Sequence, residues 1–203
     1  MSPELDLGTR TQAVVIGASA GGVQALSELL PALPARARAA VFVVLHLPRD
    51  RPSMLVEVFA HRCALAVCEA QDKEPVAPGT VYFAPPDYHL LIDRGPQLAL
   101  SADELVHHSR PSIDVLFESA AEIYRERLLG VILTGASEDG AAGLAAVHGA
   151  GGTTVIQEPQ TAQSSLMVQS ALQRRPPDMV LPLAQIARLF ASLAASADPV
   201  NMP

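Results

Sequence analysis

The sequence holds no tryptophan, three tyrosines and five phenylalanines among 203 residues. So few rings leave little to stack against unpaired bases. Basic residues are also short, 14 Lys and Arg against 21 Asp and Glu, for a formal charge of -7. A polyanion-binding protein needs a basic face, so nucleic acid is excluded as a general partner. The two cysteines, Cys63 and Cys68, fit no zinc spacing even with His61 nearby, and read as two buried thiols along a short strand. His107-His108 lacks a third ligand at a workable spacing, so neither a metal nor a cofactor is expected. No apolar run nears the ~20 residues of a membrane span. Met1–Arg10 is polar and acidic, without the basic start and apolar stretch of a secretion signal. These absences lead to an expected cytoplasmic protein with no membrane insertion.

What is present is a core. Hydrophobic residues make up 49% of the chain, enough for one domain, read here as residues 11–195 with frayed ends at 1–10 and 196–203. Strand-like runs at Ala13–Ile16, Val41–Leu45 and Ala64–Cys68 alternate with helical patterns near Gly22–Leu30 and Ser53–Arg62. That rhythm predicts an α/β fold: a doubly wound, mostly parallel sheet with helices on both faces. Thr80–Ala84, Tyr88–Ile92 and Gln97–Leu100 are short runs punctuated by proline and glycine, and read as antiparallel hairpins inserted at the sheet edge. A helix capped by Ser112 carries Ile113, Leu116, Phe117 and Ala120 on one face. Strands at Val131–Thr134, Thr153–Ile156 and Met179–Leu181 follow, with an alanine-rich helix after the first and helices near Ser165–Leu172 and Leu183–Leu193.

The sharpest local signal is Gly17-Ala18-Ser19-Ala20-Gly21, a Gly-x-Ser-x-Gly turn between an apolar strand and a helix. Such a turn exposes a serine hydroxyl at a helix N-terminus, where backbone N–H groups favour a developing oxyanion. Open α/β sheets bind ligands beyond the carboxyl ends of their strands. Three such ends carry Ser19, His46 and Asp139, the set a nucleophile, its base and an orienting carboxylate require. Each residue alone has a plainer reading: a turn residue, a satisfied strand-end histidine, a helix N-cap. The rival ligand is a dinucleotide, but Ser19 stands where the second fingerprint glycine belongs. His46 likewise occupies the place of the ribose-binding acid.

Five separated motifs together carry a resemblance. They are Gly17 to Gly22, His46-Leu47-Pro48, Ala84-Pro85-Pro86-Asp87-Tyr88-His89, Ser109-Arg110-Pro111-Ser112-Ile113-Asp114, and Leu133 to Gly140. In this order the chain resembles the catalytic domain of bacterial chemotaxis methylesterases, over about residues 12 to 192. The resemblance implies hydrolysis of glutamate γ-methyl esters on the cytoplasmic helices of methyl-accepting chemoreceptors, and deamidation of receptor glutamines as in many members. It makes Ser19 the nucleophile, His46 the general base and Asp139 its carboxylate partner. By analogy, the N–H groups of Ala20 and Ala136 form the oxyanion hole, and Arg110 either docks substrate or forms a structural ion pair. His89 is expected at the surface, and Glu138 in solvent. The chain departs from the family at Ala20, Leu45, Ala136-Ser137 and Leu166-Met167-Val168. The best-known members begin with a receiver domain, whereas only a short leader precedes the first strand here. Constitutive activity or control by a separate regulatory protein is therefore expected. Two other roles stay open: a receptor-binding scaffold on the same fold, and a general small-ester hydrolase.

Overall fold

The computed structural model describes residues 7–47 and 53–193. Helix α1 (Leu7–Arg10) leads into β1 (Ala13–Ala18), α2 (Gly22–Leu29), β2 (Ala40–Leu45), α3 (Leu55–Ala60) and β3 (Ala66–Glu69). Strands β4 (Thr80–Phe83), β5 (His89–Asp93) and β6 (Gln97–Ser101) precede α4 (Ile113–Tyr124) and β7 (Leu128–Ile132). The chain continues through α5 (Ala141–Gly149), β8 (Thr153–Gln157), α6 (Leu166–Arg174), β9 (Met179–Leu181) and α7 (Leu183–Ala191). Seven strands form one parallel sheet in the order β3-β4-β2-β1-β7-β8-β9. The doubly wound fold read from the sequence is the one observed.

Both faces of the central strands are covered, which is why β1, β2, β7 and β8 are buried at every position rather than at alternate ones. Val14, Ile16, Val41 and Val43 pack with Leu26, Phe59, Ile186 and Phe190 on one face. Val15, Phe42 and Val44 pack with Leu116, Phe117, Leu144 and Val168 on the other.

Two expectations change in the middle of the chain. Thr80–Phe83 is no part of an antiparallel insertion; it is a buried parallel strand between β3 and β2. The prolines at 85 and 86 mark its exit from the carboxyl edge, not a hairpin turn. The hairpin β5–β6 does form, but as a separate two-stranded sheet. Leu90, Ile92 and Leu98 bury one of its faces in the second core.

Of the ends expected to fray, residues 1–6 and 196–203 lie outside the described residues. Leu7–Arg10 is instead a helix, with Leu7 in the core. Cys63 and Cys68 are only half-buried, and Cys63 sits in the turn before β3 rather than on it.

Candidate active site

Parallel register places the strand ends side by side. Ala18 pairs with Leu45 and Gly17 with Ile132, so the residues just beyond β2, β1 and β7 meet at the sheet's carboxyl edge. Strand order departs in opposite directions from β1, which makes this the topological switch point where such sheets bind ligands. Ser19 and His46 occupy it. Backbone bonds extend the ladder one residue past the strands: His46 N donates to Ala18 O at 3.0 Å, and Ser19 N to Thr134 O at 3.0 Å.

The chain must then turn sharply into α2. Gly21 takes φ +82, a left-handed conformation that costs glycine little, and Gly22 N donates to Ser19 O at 2.8 Å to close the turn. The loop after β7 is tied to this turn by one side chain. Thr134 Oγ1 donates to Ala20 O at 2.8 Å and accepts from Ser164 N at 2.9 Å. A Cβ added to Gly135 would lie 3.0 Å from Ser19 Cβ, so this loop presses directly on the serine. The N–H groups of Ala20 and Ala136 have no acceptor among the described residues, and both residues are exposed at this edge.

His46 Nε2 lies 2.8 Å from Asp139 Oδ2. The imidazole proton shared with that carboxylate therefore sits on Nε2, and Nδ1 is left with its lone pair. Among the described residues no hydrogen bond joins Ser19 Oγ to His46; such contacts tighten when substrate fills a site.

Asp139 is fully buried. Its Oδ1 accepts from Ser112 Oγ at 2.8 Å and Asp114 N at 2.9 Å, and its Oδ2 from Ile113 N at 2.7 Å. Burial alone would raise its pKa. The hydrogen bonds from His46, Asp114 N and Ile113 N outweigh burial and hold it below the usual carboxylate range. The plainer reading of Asp139, a helix cap, thus holds for a different helix from the one that follows it. The carboxylate closes the N-terminus of α4, while α5 has at its N-cap Gly140, which offers no side chain to cap it.

That debt is settled in reverse. Asp114, in the first turn of α4, accepts at Oδ1 from Gly140 N (2.9 Å) and Gly143 N (2.6 Å) at the start of α5. Two helices therefore exchange carboxylates. The exchange needs the helices close together, and Gly143 permits it: a Cβ there would lie 2.6 Å from Phe117 Cβ. Gly140 is the hinge of the arrangement, with φ +101 and room for no Cβ (2.6 Å from Ile132 Cδ1). Gly140→Ala is expected to destabilise the fold by about 2 kcal/mol or more. Urea unfolding followed by circular dichroism measures it, and an unchanged midpoint would refute it.

The other residues singled out in the sequence fall into place around this pair. The Nε and Nη2 of Arg110 bond Asp87 Oδ1 at 3.1 and 2.7 Å, and its Nη1 bonds the carbonyls of Ala102 and Asp103. Of the two readings of Arg110, the structural ion pair is present, with Asp87 as its partner. His89 is corrected: it is 2% exposed and hydrogen-bonded, not at the surface. Glu138 is exposed, as expected of the neighbour of a buried aspartate. His107 Nε2 lies 3.3 Å from Asp114 Oδ2. Ser112, Asp114 and Thr134 escaped the sequence reading as members of the site. The signal for the first two was a helix N-cap motif, Ser112-Ile113-Asp114; nothing local marked Thr134.

Fold and edge together are those of a doubly wound α/β protein with a serine, a histidine and a buried aspartate at its switch point, the residue types of a serine hydrolase. Comparison with known proteins narrows the class. The family model described as CheB methylesterase matches residues 14–190, and the chain belongs to that family. A protein of Leptospira interrogans is 44% identical over 182 residues, covering 90% of this chain and 94% of the relative; its provisional name carries methylesterase and glutaminase activities. A Symbiobacterium thermophilum protein-glutamate methylesterase/protein-glutamine glutaminase is 40% identical over 86% of this chain, which spans 48% of that relative. The crystal structure of the Thermotoga maritima CheB methylesterase catalytic domain superposes with a TM-score of 0.85 at 34% identity, covering 90% of this chain and 98% of that one. No helix among the described residues is long and apolar enough to cross a membrane.

Proposed function

We propose that this chain, as a single catalytic domain over residues 11–195, removes methyl groups from glutamate γ-methyl esters of chemoreceptors in the cytoplasm. Ser19 acts as nucleophile. The observation that carries the reading is the 2.8 Å contact of His46 Nε2 with the buried carboxylate of Asp139, beside Ser19 at the switch point. Ser19 Oγ attacks the ester carbonyl as its proton passes to His46 Nδ1. The N–H groups of Ala20 and Ala136 receive the oxyanion, and Asp139 stabilises the imidazolium. The intermediate collapses when His46 returns the proton to the leaving oxygen, releasing methanol and leaving an acyl-serine. Water, deprotonated by His46, then frees the glutamate carboxylate and regenerates Ser19. A glutamine enters the same cycle with ammonia leaving in place of methanol, which is the second activity carried by the relatives' names.

Capping α4 would account for a buried Asp139 in a scaffold but not for the imidazole bonded to it beside Ser19 at the switch point, so the enzymatic reading is preferred. Active-site titration tests it. A serine-directed phosphonofluoridate is expected to stop methanol release from methylated chemoreceptor membranes at one equivalent, with the label on Ser19 by peptide mapping. A label on any other residue, or release that survives full labelling, would refute the assignment.

A further inference from the structure

One buried imidazole lies outside the Ser19–His46–Asp139 group and yet connects to it. His89 opens β5, with its Nδ1 3.1 Å from Ser112 N and its Nε2 3.0 Å from Glu104 O. An amide N–H only donates and a carbonyl only accepts. Nδ1 must therefore hold the lone pair, and Nε2 the proton. The ring spans the segment leading into α4 and fastens it at both ends, at Glu104 and at Ser112. Ser112 is itself fully buried, and its hydroxyl donates to Asp139 Oδ1 at 2.8 Å. The next two N–H groups, of Ile113 and Asp114, meet the same carboxylate. A continuous set of hydrogen bonds thus runs from His89 through Ser112 and Asp139 to His46.

We infer that His89 is a positioning residue of the esterase, holding Ser112 and the start of α4 in the register that aims Asp139 at His46. The inference rests on the proposed roles of Ser19, His46 and Asp139. Arg110 supports the same segment through Asp87 and the carbonyls of Ala102 and Asp103. The imidazole differs from that tie in reaching Ser112 itself. An apolar side chain of similar size would fill the space and leave the Ser112 N–H without an acceptor. The carboxylate would then lose its alignment rather than its neighbours.

Substitutions that imitate one ring nitrogen at a time separate positioning from packing. His89→Asn keeps an acceptor near the place of Nδ1, and His89→Gln keeps a donor near the place of Nε2. In methanol release from methylated chemoreceptor membranes, His89→Leu is expected to lower kcat by about 10²-fold, the usual effect of a small misplacement, with KM within about twofold. Asn should restore most of that loss and Gln little of it. Wild-type kcat in His89→Leu, or equal recovery by Asn and Gln, would overturn the inference. If His89→Leu fails to fold, the Asn and Gln variants decide alone. Imidazole ¹⁵N spectra of the wild type should show His89 protonated at Nε2 and bare at Nδ1; the opposite tautomer would also overturn it. Ser19→Ala serves as the parallel control, because activity surviving that change would remove the underlying reading rather than the role of His89.

Discussion

Ser19→Ala is expected to lower kcat for methanol release from methylated chemoreceptor membranes by about 10⁵–10⁶-fold, the loss seen when a serine nucleophile is removed from an intact triad. Receptor binding should be unchanged, because the substitution removes one oxygen from a half-buried side chain and leaves the backbone of the turn as it was. That backbone is fixed independently of the hydroxyl. Ser19 N donates to Thr134 O, Gly22 N donates to Ser19 O, and Thr134 Oγ1 holds Ala20 O. The N–H groups proposed for the oxyanion therefore survive, and residual activity over uncatalysed hydrolysis should survive with them. Equal methanol release by the mutant and the wild type would place the chemistry on another residue. A loss confined to KM would make Ser19 a binding group. Turnover of simple soluble esters at the rate of receptor esters would assign the protein to general ester hydrolysis.

The parts of this molecule that were legible in its sequence are those governed by local pattern. Val14 to Gly21 announces a buried strand followed by a tight turn, and the structure has both. Ser112 reads as a helix cap, and it accepts from Val115 N in that role. The sequence misled where pattern is ambiguous. Thr80–Phe83 looks the same as the arm of a hairpin or as an interior parallel strand, because a strand buried on both faces loses its alternation. Most long-range pairings were beyond it, the contact of His46 with Asp139 being the exception. Nothing in the neighbourhood of Asp139 says that its carboxylate closes a helix beginning 26 residues earlier. Nor does Arg110 reveal that Asp87 and two carbonyls absorb its donors. The strand ends and the resemblance to methylesterases both put forward Ser19, His46 and Asp139, but the reason the pKa of the buried Asp139 is held low comes from helix ends that only the fold brings together.

Those helix ends set up the second large effect, a contrast between two buried aspartates. Asp139→Asn is expected to lower kcat by about 10³–10⁴-fold, as loss of the orienting carboxylate does elsewhere. Each oxygen of Asp139 accepts from one backbone N–H of α4, Oδ1 from Asp114 and Oδ2 from Ile113. Whichever way an asparagine amide is turned, its NH₂ opposes one of those donors. Turned toward His46, it also forces the imidazole proton onto Nδ1, where it faces the serine and blocks proton transfer.

Asp114→Asn should behave oppositely. Oδ1 alone receives Gly140 N and Gly143 N, and an asparagine NH₂ in place of Oδ2 donates to His107 Nε2. Every partner is kept, so activity should stay within about threefold of wild type.

The two groups also respond to pH with opposite sign. Asp139 titrates below its ordinary range, so its contribution is present above the unfolded value, about 3.9, and is lost only as pH falls through the lower folded value. Burial, the main cause, raises the pKa of Asp114, with the nearby Asp139 charge adding to it and the N–H of Gly143 opposing it. A raised carboxylate favours the fold at low pH and loses that benefit as pH climbs through its folded value. Near neutral pH, Asp114→Asn should therefore be at least as stable as wild type, whereas Asp139→Asn should be weaker by about 1–3 kcal/mol for its unmatched N–H. Urea midpoints of the two variants near pH 7 test this directly. A destabilised Asp114→Asn with a stable, active Asp139→Asn would mean that the carboxylate exchange runs the other way, with the charge needed on α4 rather than beneath His46.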